Sequence, residues 1–335
     1  VPTGQHRAVL ADEPGRGTHA RQPSPGPIAI LPTASASASP GFAEAVERAG
    51  GVVAPLSAAT RGIIWLSYAD ADRLGDVLDE NPQVGWVQLP WAGVDAFSGV
   101  LARHRRDDLL VTSAKGAYAQ PVAEHALALL LASMRLLPER ARARSWNAVP
   151  AGESLYGRTV LIVGAGGIAR ELIRLLEPFG ASIVVVRRSA DPVAGAVRTV
   201  TAARLAAELP QADAVVLAAA LTGGTRHLLG AAELALLKPT AHLVNIARGA
   251  LVDTEALTQA LAVRALASAA LDVTDPEPLP DGHPLWSEPR CLITPHMADT
   301  PEMTAPLLAE RIHLNVLALL GNGPFVGVVD PAAGY

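Results

Sequence analysis

Three polar residues in the last third of the chain have the types that carbonyl chemistry needs. They are Arg248 in Asn-Ile-Ala-Arg-Gly, Glu277 in Asp-Pro-Glu-Pro-Leu-Pro, and His296 in Thr-Pro-His. A fixed cation can bind a 2-oxo acid and polarise its carbonyl, an imidazole can deliver a proton, and a carboxylate can hold that imidazole charged. Taken singly, each has a blander reading: a surface ion-pair arginine, a solvated loop acid, a packed histidine. The case for chemistry therefore rests on the motifs around them.

Upstream stands Gly164-Ala165-Gly166-Gly167-Ile168-Ala169. An apolar run, Thr159 to Val163, precedes it, a helical pattern from Ile168 to Phe179 follows, and another apolar run comes at Ile183 to Val186. That context turns a weak glycine pattern into a dinucleotide fingerprint. Gly164 permits the tight turn and Gly166 the close approach of backbone to pyrophosphate. Ala169 takes the place of the third glycine, and the amides of Gly167 and Ile168 open the helix where phosphate charge is favoured. After the second strand come Arg187-Arg188-Ser189, with no acid before Asp191. An acid there would bind a ribose 2′-hydroxyl. Two guanidiniums and a hydroxyl suit a 2′-phosphate instead, so NADP is the expected cofactor, with NAD as the alternative if the arginines are only surface residues.

These groups need a scaffold, and the chain predicts one. Residues 1–26 are rich in Pro, Gly, Arg and His without periodicity and read as a disordered leader. Strand-like runs at 27–31, 51–53, 63–66 and 84–89 alternate with helical patterns at 41–49 and 70–80, which argues a parallel α/β sheet. A strong helix from Pro121 to Leu137 leads into a second such series. Its strands are 159–163, 183–186, 214–217, 242–245 and 267–273, and a helix from about Glu302 to Leu320 closes the chain. The fold class expected is α/β, with two Rossmann-like or flavodoxin-like domains: 27–120 plus 301–335, and 121–300.

At 335 residues, 50% hydrophobic and with a net charge of −5, the chain offers no general attraction to nucleic acid or an anionic membrane. The Arg103-His104-Arg105-Arg106 run is offset at once by Asp107-Asp108 and reads as a solvated loop. The single cysteine, Cys291, excludes an intrachain disulfide and reads as a small buried residue. No apolar stretch is long enough to span a bilayer, and no signal-like segment opens the sequence, so a cytoplasmic protein is expected. Glu124-His125 looks like a ligand pair, but adjacent helical residues diverge and no third ligand follows, so a packed helix and no metal are expected.

The chain resembles the D-isomer-specific 2-hydroxyacid dehydrogenases over roughly residues 27–330. The resemblance is carried by 244–253 (Val-Asn-Ile-Ala-Arg-Gly-Ala-Leu-Val-Asp), 271–280 (Leu-Asp-Val-Thr-Asp-Pro-Glu-Pro-Leu-Pro) and Thr294-Pro295-His296. Supporting matches are His283-Pro284-Leu285-Trp286, the loop from Leu221-Thr222 to Thr225-Arg226, Ala123-Glu124-His125-Ala126 and Ala92-Gly93-Val94-Asp95. Within the family it is most similar to glyoxylate/hydroxypyruvate reductases. The resemblance implies that Arg248 holds the substrate carboxylate and carbonyl oxygen, that His296 is the proton donor, and that Glu277 hydrogen-bonds His296. It implies that the amides of Ala92, Gly93 and Val94 bind the substrate carboxylate and that Thr222, Ile246, Ala247 and Asp272 contact the cofactor, Asp272 near the nicotinamide. It further implies that 27–120 plus 301–335 bind substrate, that 121–300 bind the dinucleotide, that the site lies in the cleft between them, and that the protein is a homodimer joined through the segment around Ala123 to Tyr156. Trp91, Met297 and Asp299 depart from the family's commoner residues and mark an unusual substrate pocket. The rival readings are a phosphoglycerate- or formate-type dehydrogenase and a nucleotide-sensing, corepressor-like binding protein.

Overall fold

The computed structural model describes residues 22–33, 41–68, 70–146 and 149–330; most of the expected leader lies outside them. The described residues up to Tyr118, with those from Thr300 onward, form one compact unit, and Ala119–Asp299 form the other. Among the described residues no helix is long and apolar enough to cross a membrane.

The first unit is built on four parallel strands in the order β1 (Ile28–Leu31), β2 (Gly62–Trp65), β3 (Trp86–Gln88) and β4 (Leu110–Thr112). The strand expected at 51–53 is reduced to one parallel bridge between Val53 and Ile28, on the edge of β1 away from β2. Counting Val53, the order is the flavodoxin-like 2-1-3-4-5. Helices cover the sheet because its side chains are apolar on both faces: Ile63, Ile64, Trp65, Trp86 and Val87 are all buried. The closing helix, Pro301–Leu319, packs on Gly41–Arg48. A Cβ at Gly51 would strike Val46 and Val316, so this glycine keeps that packing close.

The second unit carries seven parallel strands: β5 (Thr159–Val163), β6 (Ser182–Arg187), β7 (Arg198–Thr201), β8 (Ala214–Leu217), β9 (His242–Asn245), β10 (Ser268–Leu271) and β11 (Cys291–Ile293). Their spatial order is β11-β10-β9-β8-β5-β6-β7. Chain direction through the sheet reverses between β5 and β8, the switch point at which doubly wound sheets bind ligands beyond their strand C-termini. Leu161, Val163, Val215, Leu217 and Leu243 are buried in one continuous core. The helix expected at 121–137 spans Ala119–Met134. Pro121 falls in its first turn, where a missing N–H costs nothing. Leu136 then takes a left-handed φ of 54° and separates it from the short Leu137–Arg142 helix.

Candidate active site

Arg248, Glu277 and His296 follow the C-terminal ends of three adjacent strands, β9, β10 and β11. Asn245, the last residue of β9, is buried and folds its own loop. Its Nδ2 donates to Arg248 O at 2.9 Å and its Oδ1 accepts from Ala247 N at 3.1 Å. Ile246 and Ala247 are buried under this turn, and the half-buried Arg248 donates from Nη1 to Ala247 O at 2.7 Å. Gly249 has no room for a side chain: a Cβ there would collide with the Thr274 carbonyl. The arginine loop therefore lies directly on the loop after β10. Thr254 Oγ1 adds a 2.6 Å bond to Asp275 O in the same loop.

That second loop carries Glu277. Its Oε2 accepts from Thr274 N at 3.2 Å, and its Oε1 stands 2.6 Å from His296 Nδ1. A carboxylate can only accept, so Nδ1 holds the hydrogen of this bond and Nε2 is the nitrogen left to exchange a proton with a ligand. Both side chains are roughly half exposed. His296 is held at a left-handed φ of 53°, which costs a residue with a Cβ on the order of 1–2 kcal/mol. Its own amide offsets this by donating to Asp272 O at 2.7 Å and Thr294 O at 2.9 Å.

Asp272 is 2% exposed. Its Oδ1 accepts from Thr294 Oγ1 at 2.6 Å and Met297 N at 2.9 Å, and its Oδ2 accepts from Ala298 N at 3.2 Å. Burial alone would raise this carboxyl, but hydrogen bonds from His125, Thr294 and Met297 outweigh it and hold it below the ordinary aspartate range. Burial, seconded by the Asp272 charge, outweighs His296 and His125 at Asp299, whose carboxyl is pushed upward. His125, expected only as part of a packed helix, places Nε2 2.9 Å from Thr294 Oγ1 and 3.4 Å from Asp272 Oδ1, while Glu124 is exposed. Sequence reasoning passed over His125 because its partners stand more than 140 residues away; the only signal was Ala-Glu-His on one helix.

The glycine turn sits between β5 and the Gly167–Leu176 helix. Gly164 has φ +116°, and a Cβ there would strike the Ala218 carbonyl, so only glycine fits. Gly166 differs: it is extended, it caps the helix, and nothing lies within 4 Å of its Cβ position. Ala169 is fully buried. Open space beside Gly166 and the unbonded amides of a first helical turn fit the pyrophosphate of a dinucleotide. Arg187 ends β6 half-buried, and Arg188 is exposed beyond it. Ser189 Oγ donates to Asp191 Oδ2 at 2.7 Å, so this hydroxyl is shared with an acid rather than standing alone beside the arginines. After β8, Thr222 N donates to Thr225 Oγ1 at 2.7 Å and Thr222 O accepts from Arg226 N at 3.1 Å, closing that loop.

In the first unit, Ala92 and Gly93 are half-buried and Val94 is buried, just beyond β3. Val94 O accepts from Phe97 N at 2.9 Å. The bulky Trp91 beside them is accommodated by aromatic neighbours. Its ring lies 3.9 Å from that of Tyr68 and meets Tyr118 edge-on at 6.3 Å, with Tyr118 Oη donating to Pro90 O at 2.7 Å.

Residues 126–298 match the family model of the D-isomer specific 2-hydroxyacid dehydrogenase NAD binding domain. An uncharacterised protein of Corynebacterium melassecola is 38% identical over 265 residues, 77% of this chain and 85% of that one. A glyoxylate reductase of Thermococcus gammatolerans is 33% identical over 255 residues, 73% of this chain and 75% of that one. Among solved structures, a D-isomer specific 2-hydroxyacid dehydrogenase from Xanthobacter autotrophicus Py2 in complex with NADPH and MES superposes with a TM-score of 0.77. It is 26% identical and covers 93% of this chain and 100% of its own.

Proposed function

This chain belongs to the D-isomer-specific 2-hydroxyacid dehydrogenase family of NAD(P)-dependent oxidoreductases, and we propose that it reduces a short 2-oxo acid, of the glyoxylate or hydroxypyruvate type, to the D-2-hydroxy acid. The observation that carries the reading is the 2.6 Å pairing of His296 Nδ1 with Glu277, which leaves Nε2 as the proton donor. In this reading Arg248 holds the substrate carboxylate and polarises the carbonyl oxygen, with the amides of Ala92 to Val94 also taking the carboxylate. His296 Nε2 then protonates the carbonyl oxygen as negative charge grows on it, and Glu277 keeps the ring in register. A bound nicotinamide supplies the hydride. Gly164 to Ile168 would hold its pyrophosphate, with Thr222, Ile246, Ala247 and Asp272 along the rest of the cofactor.

Arg187 and Arg188 favour NADPH over NADH, with Ser189 a weaker contributor because Asp191 already engages it. Family resemblance is the ground for assigning cofactor binding to 121–300 and substrate binding to 27–120 plus 301–335, and for a homodimer.

Absorbance at the nicotinamide band, followed with a panel of 2-oxo acids and both cofactors, tests the proposal. Turnover of glyoxylate or hydroxypyruvate is expected, faster with NADPH, and Arg187→Asp should move the ratio toward NADH. His296→Ala should abolish reduction while sparing cofactor binding. Tight NADPH binding with no turnover of any 2-oxo acid would overturn the catalytic reading.

A further inference from the structure

We infer that His125 is a positioning residue for His296, acting through Thr294 and Asp272. The inference rests on His296 being the proton donor. Its geometry stands on hydrogen-bond logic alone. The buried Asp272 carboxylate can only accept, so the 2.6 Å bond from Thr294 Oγ1 uses the threonine's single hydrogen. Thr294 Oγ1 must then accept from His125 Nε2 at 2.9 Å, which fixes the Nε2–H tautomer or the doubly protonated ring. The same N–H lies 3.4 Å from Asp272 Oδ1. One donor on the Ala119–Met134 helix thus orients both the hydroxyl and the carboxylate.

The Asp272 carboxylate in turn receives the amides of Met297 and Ala298, and its main-chain oxygen receives the amide of His296. Four groups of the loop, the Thr294 hydroxyl and the amides of 296, 297 and 298, converge on this one residue. They hold a left-handed histidine that its own backbone preference does not favour. Without His125, Thr294 keeps its bond to Asp272 but loses the donor that fixes its orientation, and the carboxylate loses a neighbour that favours its charged form. The turn then loosens, and Nε2 is displaced from the position that Glu277 alone sets only in rotation. A displacement of an ångström is enough to matter for proton transfer.

The full-length chain carrying His125→Phe, Thr294→Val, Thr294→Ser or the His125→Phe/Thr294→Val pair provides the test. His125→Phe keeps a ring without its N–H, and Thr294→Val keeps the shape without the hydroxyl. Each is expected to lower kcat about 10- to 100-fold while KM and the NADPH Kd move less than about threefold. Thr294→Ser should restore kcat to near the wild-type value. The pair should be no worse than the poorer single variant, because both cut the same chain. Amide exchange at Met297 and Ala298 should quicken about tenfold in both single variants while the global unfolding midpoint holds. Unchanged kcat, loss in Thr294→Ser equal to that in Thr294→Val, or fully additive losses in the pair would overturn the inference. If the wild type reduces no 2-oxo acid, the proposed function fails separately; unchanged exchange at Met297 and Ala298 would still refute the positioning chain.

Discussion

Glu277 Oε1 lies 2.6 Å from His296 Nδ1, and the other oxygen of the same carboxylate takes the Thr274 amide at 3.2 Å. The acid is thereby tied to its own loop at one end and to the imidazole at the other. Because both side chains are about half exposed, the pair adds little to stability, and its value lies in orientation. Glu277→Gln should lower kcat about 10- to 100-fold with the unfolding midpoint nearly unmoved. An unchanged kcat would show that the ring is oriented by something else.

The glycines separate folding from binding. Gly164→Ala and Gly249→Ala each place a Cβ against backbone carbonyl atoms, and each should cost about 1–3 kcal/mol in denaturant unfolding. Gly166→Ala meets open space. It should leave the midpoint alone and weaken nicotinamide cofactor binding, read as a rise in Kd by fluorescence titration. Equal cofactor affinity in Gly166→Ala and wild type would argue against the glycine turn as the pyrophosphate site.

Asp272 sets a pH dependence with a definite sign. Its carboxyl is held below the ordinary range in the folded chain, so the unfolded chain binds the proton more readily. The stabilisation is complete above the usual carboxylate value near 4 and is lost as pH falls through the lower, folded value. Between about pH 5 and pH 3, the denaturation midpoint of wild type should fall more steeply than that of Asp272→Asn, which should already be destabilised at pH 7. Parallel curves would remove Asp272 as the origin.

Cys291 is the sole cysteine of the sequence. Burial, seconded by Glu288, pushes its thiol up to about 12. With so little thiolate at pH 8, the native protein should resist iodoacetamide and take up one equivalent only after unfolding. Rapid labelling of the native chain would mean that the β11 edge opens readily.

How much of this could be read in advance depended on how each segment is buried. β5 and β8 are enclosed on both faces, so they appear as the apolar runs Thr-Val-Leu-Ile-Val and Ala-Val-Val-Leu. β4 is three residues long and follows a charged run, and β7 is Arg-Thr-Val-Thr on the sheet's rim with no buried residue. β7 carries no hydrophobic pattern to detect, and β4, Leu-Val-Thr, is too short to show a period. The motifs name Glu277, His296 and Asp272, but not the arrangement of partners around the Asp272 carboxylate. Those partners are two backbone amides, a threonine hydroxyl and a histidine on a helix far earlier in the chain. Backbone donors leave no trace in residue types, and a pairing such as His125 with Thr294 exists only once the helix packs beside β9 and β10.

The order of the second sheet has a consequence for how such a protein can change. Arg187 ends β6, while the residues that set the His296 turn leave β10 and β11, and β6 and β11 are five strand spacings apart, about 24 Å at the usual interval. Substitutions at the two ends share no neighbours, so their free energies should add. In the proposed function, cofactor choice at Arg187 and proton delivery at His296 are thus independent variables of one sheet, and a lineage could exchange one dinucleotide for the other without retuning its acid.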